Sequence, residues 1–166
     1  EVTFLKRNFE ATLALAEEIL FEPRWDEKEF ARIKAETIER INRSSAIPST
    51  IASNVFNRLN YGNHILANST MGTEESVMTI ELEDLKKYYE DNFSVDLSTI
   101  SIVGDINQNG AIKAFKSLSN RWEIKDVNFP EYAMPESNNK AKIYFVDVPG
   151  AKQSEIRIGY LSMQYT

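Results

Sequence analysis

Glu29 and Glu36 are the residues of this sequence whose type and spacing could do chemistry. At about 100° per residue, seven helical steps bring two side chains back to nearly the same direction. Two carboxylates stacked in this way can share a metal ion or form one solvated acidic edge. The neighbouring charges supply the second reading in full. Arg32 lies three residues after Glu29 and four before Glu36, and Arg40 lies four after Glu36. Those are the spacings of helix-surface ion pairs. His64, in the loop Tyr61-Gly62-Asn63-His64, is the one histidine, and there is no cysteine. A catalytic zinc normally takes three protein ligands, usually with more than one nitrogen. This sequence alone cannot supply them, so His64 reads first as an ordinary loop residue. There is no HExxH or HxxEH, no GxSxG, no P-loop and no GxGxxG.

The element that must position the two glutamates is residues 25–44, WDEKEFARIKAETIERINRS. Phe30, Ile33 and Ile41 fall on one helical stripe, with Ile38 at its edge. Thr37 is the polar interruption within it. Asp26 suits an N-cap and Glu29 the reciprocal place in a capping box. Arg40 and Arg43 suit the C-terminal end of the dipole.

Around this helix the chain reads as several helices and few strands. Periodicity places helices over residues 8–21, 49–59, 82–92 and 111–122, with a short capped turn at 72–76. Residues 97–103 alternate as a strand, residues 142–148 form a nearly continuous apolar run, and residues 155–161 alternate again. Residues 128–140, NFPEYAMPESNNK, are polar with two prolines and read as a linker. A lone strand before the linker needs neighbours for its backbone groups. The chain starts at Glu1 and ends in a strand-like run, so an excised piece of a longer α+β protein is expected.

The chain has 166 residues, 42% hydrophobic and 27% charged, which suits one domain or slightly more. The net charge of −6 disfavours nucleic acid or an anionic membrane surface as the main partner. No apolar run is long enough to cross a membrane, and no signal-peptide pattern is present. The compartment stays open between cytoplasm and periplasm.

The order of four segments is more specific than any single motif. They are ILFEPRWDEKEFARIKAETIERI, NRLNYGNHILANSTMGTEESVMTIELEDLKKYYEDNF, STISIVGDIN and FVDVPGAKQSEIRIGYL. In that order the chain resembles the insulinase/pitrilysin family of zinc metallopeptidases, family M16, which includes the mitochondrial processing peptidases. The resemblance implies an α+β fold of the LuxS/MPP-like metallohydrolase type, helices packed on an antiparallel-rich sheet, here incomplete. It implies that residues 1–127 are the later part of one such domain. Residues 128–140 are then the linker, and 141–166 the first strands of the next domain. It also implies two similar halves around a chamber that takes peptides, with the catalytic half present in cis or in trans.

The active half of that family carries HxxEH, then a glutamate on a later helix as third zinc ligand, with another important glutamate seven residues before it. Glu36 and Glu29 match that spacing, so the resemblance implies that Glu36 binds zinc, with Glu29 supporting, if an upstream segment supplies HxxEH. The motif's own glutamate would then be the general base. Two departures favour the non-catalytic half. Lys34 interrupts the apolar run before the ligand pair, and in one register Thr37, not Glu36, takes the ligand position; a shift of one restores Glu36. The expectation is a non-catalytic, chamber-forming half that is inactive and without zinc when alone. The alternatives are a catalytic half cut off from its histidines, or a binding or scaffold module.

Overall fold

The computed structural model describes residues 1–135 and 140–162. Among them lie seven α-helices: α1 (Phe9–Phe21), α2 (Glu27–Ser44), α3 (Pro48–Tyr61), α4 (Glu74–Thr79), α5 (Leu82–Asn92), α6 (Gln108–Ala114) and α7 (Lys116–Arg121). Single 3-10 turns stand at Lys6–Asn8, Ile65–Ala67 and Val95–Leu97. The helices form two compact units that alternate along the chain.

The first unit is Glu1–Glu27 with Glu81–Phe129, and it contains α1, α5, α6 and α7. The starts of α5 and α6 are set by side chains. Asp84 accepts the Glu81 N–H at 2.8 Å to open α5, and Asn107 accepts the Gly110 N–H at 2.8 Å to open α6. The Asn107 cap starts the helix at Gln108, ahead of the expected 111. The expected single helix also breaks at Phe115, whose ψ of 6° interrupts the ladder between α6 and α7.

Packing in this unit is aromatic. Phe93 stacks on Trp122 at 4.4 Å and on Tyr89 at 4.7 Å. Phe21 meets Trp122 edge-on at 5.9 Å, and Trp25 meets Tyr89 at 5.6 Å. The Tyr89 hydroxyl donates to the Leu20 carbonyl, and partial burial pushes its phenol up. Leu118 is buried. Leu13, Leu20, Ile100, Phe115, Leu118 and Trp122 line part of an open apolar cavity of about 370 Å³. Ser94, the most buried polar residue described, donates to the Asp96 carboxylate and accepts the Lys125 N–H at 2.8 Å.

Lys6 reaches Asp105, in the turn after residues 97–103, at 2.7 Å. The hydrogen bond from the Lys6 ammonium, and then its charge, hold the Asp105 carboxyl below the usual carboxylate range. A depressed carboxyl stabilises the fold above its unfolded pKa, and the gain is lost as pH falls through the folded value. Both side chains are well exposed, so the effect is small and screened by salt. An NMR titration should show Asp105 ionising below its unfolded reference in wild type and returning toward it in Lys6→Ala.

The second unit is Lys28–Ile80 with Pro130–Thr166, and it contains α2 beyond its first residue, α3 and α4. Its buried apolar residues are Ile41, Ala67 and Val77. Pro48 opens α3, where a missing N–H costs nothing. The expected turn at 72–76 is the start of α4. Thr73 and Ser76 cap each other, Oγ1 of Thr73 accepting the Ser76 N–H at 3.2 Å and Oγ of Ser76 accepting the Thr73 N–H at 2.9 Å. Gly72 leads in with φ 74°, and a Cβ there would stand 2.8 Å from the Ser76 hydroxyl that makes the cap.

The expected sheet is not seen among the described residues. Among the described residues no strand appears; of the expected 97–103, Leu97 closes a 3-10 turn, and residues 98–103, 142–148 and 155–161 run without helix or ladder. A strand exists only when another segment supplies its hydrogen bonds, and none of the described segments does so here. The expected linker includes residues 136–139, and the expected next domain includes residues 163–166; both stretches lie outside the described residues.

Candidate functional site

α2 follows Asp26, the expected cap position, and carries Glu29 and Glu36 on one flank. The structure brings the two carboxylates together through an arginine. Arg32 reaches Glu36 at 2.5 Å through Nη1 and grips Glu29 through both Nε, at 3.0 Å, and Nη2. These bonds, first to Glu29 and then to Glu36, hold the guanidinium even more firmly charged. All three side chains are about half exposed, 53% for Arg32 and 47% and 53% for the glutamates. A shared metal would have to displace this cation.

No group of three or more His, Cys, Asp or Glu among the described residues is placed to hold a metal. Among the described residues, none beside Glu36 completes a zinc site with it. Thr37, the ligand position in the other register, donates its hydroxyl to the Ile33 carbonyl at 2.8 Å within its own helix.

Lys34 has a structural task that sequence spacing does not reveal. Its ammonium donates to the Met78 and Ile80 carbonyls, each at 2.7 Å, at the C-terminal end of α4. The last carbonyls of a helix have no partner within it, and a cation there also suits the dipole. Phe30, one turn back, lies 5.8 Å from the same ammonium. The charge that interrupts the apolar run of α2 is therefore the one that holds α4.

His64 is more than a loop residue. Its Nδ1 accepts the Leu66 N–H at 3.2 Å, capping the Ile65–Ala67 turn. Its ring lies 6.3 Å from Tyr61 and 5.5 Å from Tyr132. Histidine is an uncommon cap, so composition gave little signal for it.

Residues 155–160 lie along α3 with alternate residues turned in. Arg157 donates to the Ser53 hydroxyl at 3.4 Å and pairs with Glu155 at 3.2 Å. A Cβ on Gly159 would stand 2.7 Å from the Phe56 ring, so glycine permits the close approach. The other three residues face away: Ile156, Ile158 and Tyr160 are 74%, 93% and 84% exposed.

Residues 79–166 match the family model described as the peptidase M16 inactive domain. The chain is 28% identical over 118 residues to a Bacillus subtilis protein named an uncharacterized zinc protease, YmxG. That match covers 69% of this chain and 29% of the relative. It is 22% identical over 117 residues to a Helicobacter pylori protein named a non-peptidase homolog, YmxG, covering 70% of this chain and 27% of the relative. The chain thus spans less than a third of either relative. A crystal structure titled as the peptidase M16 inactive domain from Pseudomonas fluorescens matches with a TM-score of 0.70 at 23% identity. It covers 80% of this chain and 32% of that one, and it gives the fold of the inactive domain. The family model extends over more than half of the chain, from the last residue of α4 onward, and the chain belongs to the M16 peptidase family through its inactive domain.

Proposed function

We propose that this chain is part of the non-catalytic half of an M16-type peptidase and helps to form its peptide chamber. The catalytic half, in cis or in trans, supplies the zinc and the hydrolytic chemistry. The observation that carries this reading is the Arg32 clamp. Both glutamates at the ligand spacing are engaged by one cation, while Lys34 and Thr37 are bound to backbone carbonyls. One relative is named a non-peptidase homolog, which supports the same reading; the other is named a zinc protease. In the proposed arrangement, residues 97–103, 142–148 and 155–161 are strands of antiparallel-rich sheets on which the helices pack. Residues 1–127 end one domain, 128–140 join, and 141–166 begin the next.

The test is the zinc content of the full-length parent, wild type and Glu36→Gln. The expected result is that zinc is absent, or is present and indifferent to the substitution. Zinc that is bound by wild type and lost from Glu36→Gln would make Glu36 a ligand and this the catalytic half.

A further inference from the structure

We propose that His64 is a proton-sensitive clasp, which in its neutral form closes the Ile65–Ala67 turn and seats the Tyr132 ring. The inference is independent of the peptidase reading. Nδ1 accepts the Leu66 N–H, and it can do so only while it carries no proton. Protonation would set one N–H against another and remove the cap. The turn matters to the unit because Ala67, at its end, is among the few buried apolar residues described there.

Among the described residues, the rings against His64 are two phenols. α3 contributes the Tyr61 phenol, the segment after residue 129 contributes the Tyr132 phenol, and the capped turn is Ile65-Leu66-Ala67, with nothing that titrates. Only the unprotonated Nδ1 can accept, so the sign is fixed: acidification removes the cap.

The experiment compares urea unfolding of the full chain, wild type and His64→Asn, at about pH 7.5 and about pH 6. Asparagine offers a cap oxygen that does not titrate. The expected result is that wild type loses about threefold to tenfold in its folding constant relative to His64→Asn on acidification, the span of an end cap. Parallel profiles would overturn the proposal. So would a relative gain by wild type, in which attraction of the charged ring for the tyrosine faces prevails. A readout that needs no variant is the amide shift of Leu66. It should move in step with the His64 ring protons during titration, and a Leu66 amide that stays still also overturns the clasp.

Discussion

Trp122→Ala should destabilise the chain by about 3 kcal/mol, the lower end of what losing a large aromatic from a packed cluster costs. Trp122 is where three segments of the first unit meet. It caps α7 with its own N–H on the Leu118 carbonyl at 2.9 Å, stacks on Phe93 beyond α5, and takes the edge of Phe21 at the end of α1. Its indole N–H also reaches the Phe93 carbonyl at 3.4 Å. Alanine would leave the faces of Phe93 and Phe21 in open space beside a cavity already present, so little can collapse to refill it. A small domain holds only about 5–15 kcal/mol in total. Urea unfolding should show a clear fall in midpoint for Trp122→Ala and a smaller one for Trp122→Phe, which keeps a ring. A Trp122→Ala midpoint within error of wild type would mean the ring cluster does not hold the unit together.

Lys34→Met should cost about 2 kcal/mol. Methionine keeps the helix propensity and most of the apolar stem, so the change isolates the ammonium. What is lost is a pair of charge-assisted bonds to the Met78 and Ile80 carbonyls, together with the favourable end of the α4 dipole. α4 has only six residues and cannot stand by itself. Hydrogen exchange should therefore show the loss concentrated in α4, with Lys34→Arg recovering part of it. Uniform loosening of the second unit, with α4 no worse than the rest, would count against the ammonium as its anchor.

The helices were legible because their causes are local. Residues 82–92 match α5 at both ends, since the apolar spacing and the acidic start lie within the segment. The Arg32 clamp was also legible, because i to i+3 and i to i+4 spacing is all that such a pair needs. Lys34 was readable only as an interruption, because its partners lie 44 and 46 residues away. The cap at Asn107 was missed because apolar periodicity begins only later, at Ala111. For the three strand-like runs, alternation shows a preference for extended backbone, but pairing is a property of two segments and no single run encodes it. Membership of the family lay in the order of segments, each of which is weak by itself.

The seating of residues 155–160 on α3 bears on how the chain behaves as a solute. Arg157 and Gly159 use the inner side of that segment, so Ile156, Ile158 and Tyr160 meet water as a short greasy row. The force that keeps two copies from joining such rows is mutual charge repulsion, and at neutral pH this chain carries −6. That repulsion vanishes near the isoelectric point of about 5.0 and is screened by concentrated salt. Dilute buffer well above that pH is thus the medium that keeps the molecules dispersed, while acidification or salting would bring the rows together and cloud the solution.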